Sequence, residues 1–275
     1  MGSKPASVPV GRSATGAGLF LGVMTLGYAV YAADRTVLTA MLVPMANSLG
    51  LDNLQQGLLV SAQYIGVLAV VFIAGALSDH YGRWKIVLLG VSVFSLFTWL
   101  IAFSGTFYEA FAFRLVSGVG EGIFWPVAMA SVADYFGQGK GFALGAFYVG
   151  FDFGGAGGTA IGGATYALTS DWRAAFLVAP LLGVIVVPGI FAARRAMTIT
   201  SRKGTLGIER GAIGIIAKRD MAVILLFALL ATYPTAAWQS FLPTYLKKVL
   251  GLDIPTAAFA TSAVFLSGAG GKLLL

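Results

Sequence analysis

Long apolar runs separated by short polar gaps make up most of this chain. The runs cover roughly 17–43, 55–78, 85–104, 108–136, 140–168, 173–193, 220–246 and 255–275. A helix needs about 20 apolar residues to cross the hydrocarbon of a bilayer, so the pattern predicts eight spanning helices. Most gaps are short, which makes successive helices antiparallel neighbours. The exception is 194–219, from Arg194-Arg195 to Arg219, which is polar, basic and long enough to be a linker. Residues 1–16 are small and polar and read as a disordered tail. The apolar run after them is too long for a signal peptide and lacks a convincing cleavage site, so it is read as a true first helix. The expected fold class is all-α, a polytopic membrane protein. It has a tail (1–16), a six-helix bundle (17–193), a linker (194–219) and an incomplete second bundle (220–275).

Composition agrees. The 275 residues are 58% hydrophobic and only 11% charged, with a mean hydropathy of +0.86. Soluble domains carry about 25% charged residues. The net charge of +7 forms no continuous basic face, because Lys and Arg fall in the gaps between apolar runs, so no nucleic-acid partner is expected. Those positions set an orientation instead. With the N-terminus inside, the cytoplasmic segments hold twelve of the eighteen basic residues. The outer segments hold Arg173, Lys247 and Lys248, and the spans hold Arg35, Arg114 and Lys272. An N-terminus in the cytoplasm and a place in the plasma (inner) membrane are therefore expected. Cysteine is absent, which excludes disulfides and thiolate metal sites. No nucleotide-binding motif, metal cluster or catalytic nucleophile constellation is visible. Neither an enzyme nor a cofactor is expected.

One gap carries a charged knot, Gly75-Ala-Leu-Ser-Asp79-His80-Tyr-Gly82-Arg83-Trp-Lys85. A tight charged turn between two spans lies on one membrane face. Its geometry needs glycine at Gly82, and Asp134, at the cytoplasmic end of the fourth helix, is the expected partner of Arg83. His80, the only histidine, is expected to be solvated.

Ionisable groups within spans are costly and by default mark function. Asp34 and Arg35 fall in the first helix, Arg114 and Glu121 in the fourth. At 1.5 Å per residue, Asp34 lies about 14 Å from the outer end of its run and Arg114 about 9 Å from the start of its own, so the two could pair. Glu121, two turns beyond Arg114, shares its helix face and sits near the midplane. A guanidinium in a low-dielectric cavity holds a carboxylate through paired, charge-assisted hydrogen bonds. Burial favours the neutral form of a carboxyl group and a neighbouring Arg the charged form, so an arriving anion that neutralises the Arg promotes proton uptake. The plainer reading is a set of fixed ion pairs tying the first helix to the fourth.

Asp152, in the fifth helix, is a further intramembrane acid, either a second proton or substrate group or a structural partner. The four-residue spacing Gly150/Gly154/Gly158/Gly162 favours close helix approach over ligand contact. Tyr31 and Tyr64 are the aromatic cavity candidates. Tyr28, Phe124, Trp125, Tyr148 and Trp238 are expected mostly to pack or face lipid.

The knot, as G-x-L-x-D-x-x-G-R-x-K, resembles the loop between the second and third helices of major facilitator superfamily transporters. Tyr31-Ala-Ala-Asp34-Arg35 and Arg114-Leu-Val-Ser-Gly118-Val-Gly120-Glu121-Gly122-Ile-Phe-Trp-Pro126 resemble its anion:cation symporter branch. Trp172-Arg173-Ala-Ala-Phe176 and Phe241-Leu-Pro-Thr-Tyr245-Leu246 fit as well. The second helix departs from it, since Ser61-Ala62-Gln63-Tyr64-Ile65-Gly66 lacks the branch's aromatic-Tyr-Gln arrangement. The resemblance implies the major facilitator fold: the first six-helix bundle plus the first two helices of the second half. About four further helices are expected beyond this chain. It implies alternating-access, proton-coupled uptake of a small organic anion, with Arg35 and Arg114 binding the anion and Asp34 and Glu121 carrying protons. Asp152 joins the proton-coupling set, and Tyr31 and Tyr64 the substrate set. Gly75, Asp79, Gly82, Arg83 and Asp134 would form a gate latch between the halves. The implied partners are the anion, the proton and the lipid bilayer, with a monomer at full length. Two alternatives stand beside this reading. One is an exporter or antiporter, disfavoured because Gly154-Gly155-Ala156-Gly157-Gly158 has no proline; the other is a non-transporting remnant.

Overall fold

The computed structural model describes residues 14–200 and 219–274. Most of the expected tail and linker lie outside the described residues. The helices are α1 (Ala14–Leu49), α2 (Asn53–Tyr81), α3 (Arg83–Ile101), α4 (Phe107–Phe136), α5 (Lys140–Thr169), α6 (Trp172–Val178), α7 (Leu181–Thr200), α8 (Arg219–Lys248) and α9 (Ile254–Leu274). No strand occurs among the described residues. Among the described residues, five apolar helical stretches are long enough to cross a membrane, one of them containing both α4 and α5 across the 3-10 turn Gly137–Gly139. This is an integral membrane protein.

Local chemistry sets the helix ends. Asp52 and Gln55 form a reciprocal capping box that starts α2 (2.7 and 3.1 Å), and Thr106 with Glu109 does the same for α4 (3.3 and 3.2 Å). Gly82, at φ +92°, turns the chain from α2 into α3 in a conformation that disfavours any residue with a Cβ. Thr256 donates to Asp253 at the start of α9 and holds that exposed carboxyl below its ordinary range.

Two boundaries differ from the apolar runs. The first helix does not stop before Pro44 but continues to Leu49. A proline near a helix end removes only one late backbone bond. Asp34 therefore lies fifteen residues, about 22 Å, from the outer end of α1, deeper than the run suggested. The sixth apolar run is two helices, α6 and α7, interrupted at Ala179-Pro180. The proline ring disfavours helical continuity there, and Gly183 N–H turns back to the Pro180 carbonyl (2.9 Å).

The glycines position the helices. A Cβ at Gly150, Gly154 or Gly158 of α5 would collide with the carbonyls of Thr25, Ala29 or Ala33 of α1. Both series ascend in steps of four, so α1 and α5 run parallel at backbone contact. In α2 and α4, Gly118 meets Gln63 and Gly122 meets Val67, again in parallel register. The order reverses between α3 and α4, where Gly90 faces Gly120 and Phe124 while Gly120 faces Phe94. It also reverses between α5 and α9, where Gly155 meets Phe265 and Gly163 meets Pro255. Spans an even number apart are thus parallel and the others antiparallel, as alternate membrane crossings require.

Two apolar clusters fill the interior. One gathers Phe20, Met24, Tyr28, Phe94, Phe124 and Phe147; the other gathers Leu38, Met41, Met45, Leu59, Trp172 and Phe176. Along α1, the stretch between them is Asp34-Arg35-Thr36.

Candidate functional site

α1, α2 and α4 bring five polar side chains together at this level. Arg35 of α1 reaches Glu121 of α4, with Nε 3.0 Å from Oε2. Glu121 is fully buried, and the same oxygen accepts from Gln63 Nε2 of α2 at 2.6 Å. The other face of the Gln63 amide accepts a hydrogen bond from Arg114 Nη2. Arg114 also donates to the backbone carbonyls of Asp34 (3.1 Å) and Arg35 (3.5 Å). One chain of contacts therefore runs Arg35–Glu121–Gln63–Arg114 and returns to the α1 backbone.

The amide orientation follows from its neighbours. Arg114 can only donate, so the amide oxygen faces it; a carboxylate can only accept, so the amide nitrogen faces Glu121. The close α2–α4 crossing makes this reach feasible. Gly118, one turn from both Arg114 and Glu121, lies against the Gln63 backbone itself.

The expected side-chain pair between Asp34 and Arg114 does not form. Arg114 takes the Asp34 main-chain carbonyl instead, and neither carboxylate oxygen of the fully buried Asp34 has a hydrogen bond. Asp34 lies within electrostatic range of Arg114 and beside Thr98, whose hydroxyl is engaged by Ser117 at 3.0 Å. The sequence expectation failed because depth along a helix does not specify rotation about it.

Arg35 is held between two aromatic faces, its Cζ 4.9 Å from the Tyr31 ring centroid and 5.0 Å from that of Tyr64. Both expected cavity tyrosines touch Arg35 through cation–π contacts; Tyr64 lines the adjacent cavity, whereas Tyr31 is buried in the apolar cluster. Arg35 meets Glu121 as an ion pair, without a hydrogen bond from Nε, and its Nη1/Nη2 edge makes no hydrogen bond to the described residues. Arg35, Gln63, Tyr64 and Arg114 line a cavity of about 30 Å³ together with Gln239 and Ser240 of α8. That is room for a water or two. A larger space of about 330 Å³ adjoins it between α2 and α8, sharing Val60, Tyr64 and Ser240.

Asp152 is not part of this cluster. It is buried on α5 facing α9, where a Cβ at Gly268 would lie 3.4 Å from its Oδ1. Nearby, Thr159 and Ser262 share a hydrogen bond of 2.7 Å across the same seam.

At the opposite end of α4, Arg83 Nη2 lies 2.8 Å from Asp134 Oδ2, and Nη1 donates to the Ala130 carbonyl at 3.4 Å. Gly75 accepts from the Ser78 hydroxyl (2.7 Å), and Asp79 occupies the last turn of α2. His80 is exposed and stacks edge-on with Tyr81.

Sequence reasoning overlooked Gln63, Gln239 and Ser240. Gln63 did leave a signal, as an amide in a long apolar run directly before Tyr64. Tyr28 and Phe124, expected to pack, do so: Tyr28 stacks on Phe147 with centroids 4.5 Å apart.

A helical membrane bundle with charged side chains gathered mid-span carries, by default, its function at that level. Residues 24–275 match the model of the Major Facilitator Superfamily, and the chain belongs to that family. It is similar to the protein spinster of Drosophila melanogaster, at 32% identity over 155 residues, 56% of this chain and 26% of that one. It is equally similar, at 32% identity over 145 residues, to the 3-(3-hydroxy-phenyl)propionate transporter of Escherichia coli strain K12, covering 52% of this chain and 36% of the relative. Among solved structures, a bacterial homologue of the human lysosomal transporter Spinster, inward-facing and occupied, shares the fold. Its TM-score is 0.75 at 23% identity, covering 92% of this chain and 59% of that chain. The chain thus spans well under two thirds of each of these proteins.

Proposed function

We propose that this protein serves in secondary transport that takes up a small organic anion together with protons, by alternating access, as in the anion:cation symporter branch. The observation that carries the reading is Arg35. Its guanidinium lies over the rings of Tyr31 and Tyr64, it is ion-paired with Glu121, and Arg35 lines the cavity between α1, α2, α4 and α8. A carboxylate binds such an edge in bidentate fashion. Glu121 and Asp34 are the proton-carrying groups, since buried intramembrane acids without a permanent full complement of partners are suited to exchange protons. A relative named for transport of a phenylpropionate, itself a carboxylate, supports the substrate class. We place the N-terminus in the cytoplasm on the basis of the basic-residue bias.

The test is uptake of labelled 3-(3-hydroxyphenyl)propionate, gluconate and phthalate into vesicles carrying the full-length protein, with and without an inward proton gradient. At least one of these should accumulate only with the gradient. Glu121→Gln and Asp34→Asn should each bring the accumulation ratio to about one while leaving counterflow exchange measurable. Intact gradient-driven accumulation in both variants would sink the coupling assignment.

The Arg83–Asp134 pair serves in this reading as a cytoplasmic gate latch, together with Gly75, Asp79 and Gly82. Asp134 is partly exposed, so the pair adds less than about 1 kcal/mol to stability. Arg83→Ala should leave thermal unfolding nearly unchanged yet slow uptake roughly fivefold, the scale of a weak coupling between gate states. Asp134→Asn should do the same, and the double variant should be no worse. Additive losses in the double variant would show that the two residues act separately.

A further inference from the structure

We infer that Gln63 is the positioning residue through which occupation of Arg114 is communicated to Glu121. The inference rests on the proton-coupled anion reading above. Both contacts are made by one planar amide, 3% exposed: Oε1 accepts from Arg114 and Nε2 donates to Glu121 at 2.6 Å. Neither can move alone. Arg114 has no carboxylate among its hydrogen-bond partners; its other two acceptors are the main-chain carbonyls of Asp34 and Arg35. A substrate carboxylate is a stronger acceptor for a guanidinium than a neutral amide oxygen, so Gln63 is the ligand that a substrate would displace. Turning the amide away from Arg114 withdraws its N–H from Glu121. Glu121 then keeps only Arg35, which the same substrate engages at its free edge. Loss of a donor favours the neutral carboxyl, so arrival of the anion drives proton uptake by a mechanical route as well as an electrostatic one.

The groups surrounding Glu121 fit this assignment. α1 contributes Tyr31, Asp34 and Arg35; α2 contributes Tyr64 beside Gln63; α4 contributes Arg114. α3 offers the uncharged Thr98. The two guanidiniums already contact Glu121 directly or through Gln63. Gln63 is therefore the only neutral side chain hydrogen-bonded to both Glu121 and a cation among the described residues.

The experiment compares wild type, Gln63→Met and Gln63→Asn in protein reconstituted into vesicles. The probe is whichever of the three labelled carboxylates above the wild type accumulates. The readout is the half-saturation concentration for counterflow exchange as a function of pH, with thermal unfolding measured alongside. For one linked proton, wild-type affinity should change by up to about tenfold per pH unit. Gln63→Met removes both contacts, whereas Gln63→Asn keeps an amide too short to reach Arg114 and Glu121 together. Both should still exchange the probe, with the pH dependence reduced to less than about twofold per unit. If Gln63→Met does not fold, Gln63→Asn decides alone. A full wild-type pH dependence in the folded variants would overturn the inference and leave the proposed function standing. So would a folded Gln63→Asn that binds nothing at any pH, because that outcome makes Gln63 a substrate contact. Absence of proton-linked uptake in the wild type would instead remove the proposed function itself.

Discussion

Replacing Arg114 with Leu is expected to abolish transport and to destabilise the bundle by about 3–5 kcal/mol, the scale for removing one partner from a buried charge network. The guanidinium holds three oxygens on two other helices: the carbonyls of Asp34 and Arg35 and the amide oxygen of Gln63. Leucine strands the Gln63 amide oxygen in an interior where an unsatisfied acceptor costs about 1–3 kcal/mol, while the two carbonyls keep only their bonds within α1. It also leaves the buried carboxyls of Asp34 and Glu121 facing Arg35 as the sole nearby cation. Arg114→Lys should recover part of the stability, since the charge remains, but no transport, because an ammonium lacks the fork that reaches separated acceptors. Thermal unfolding in detergent and vesicle uptake measure the two effects. Stability of Arg114→Leu within about 1 kcal/mol of wild type would mean that this side chain does not tie α4 to α1 and α2.

Gly118→Ala should be nearly as severe, although it adds one methyl group. That Cβ would fall on the backbone of Gln63, 2.9 Å from its Cα and carbonyl carbon and closer still to its oxygen. Backbone cannot move aside as a side chain can, and the facing Gly66 is pressed just as tightly against Leu115 and Val119. Overpacking ordinarily costs about 1–3 kcal/mol, and a collision of helix backbones belongs at the top of that range or above it. The wedge would also separate Gln63 from Glu121, so uptake should fall further than stability alone dictates. Gly145→Ala is the control: a Cβ there meets nothing within 4 Å, and its unfolding temperature should match wild type. Equal behaviour of the two alanine variants would show that α2 and α4 are not in backbone contact.

The spans were legible in the sequence because lipid demands long apolar runs. Four of the charged residues in them were legible for the converse reason: Asp34, Arg35, Arg114 and Glu121 do gather in one cluster. Their partners were not. Depth follows from counting residues, but whether Arg114 meets the side chain or the main chain of Asp34 depends on the rotation of two helices. The glycine contacts fix that rotation, and a single sequence does not reveal which glycines touch which helix. Gln63 was passed over because an uncharged amide carries no large desolvation signal, yet hydrogen bonds at both ends make it the junction of the cluster. The interruption at Pro180 was hidden by apolar residues on either side. The first run was read as ending near 43, yet α1 continues past Pro44 to Leu49, since a proline so near a helix end costs little.

The register of α1 and α5 has a consequence for how such a bundle moves. With Gly150, Gly154 and Gly158 seated on Thr25, Ala29 and Ala33, the two helices mesh like a rack with teeth one turn apart. Sliding by less than the pitch of about 5.4 Å drives methyl-bearing positions into carbonyls. Small displacements are therefore forbidden along this seam, and α1 and α5 travel as one body.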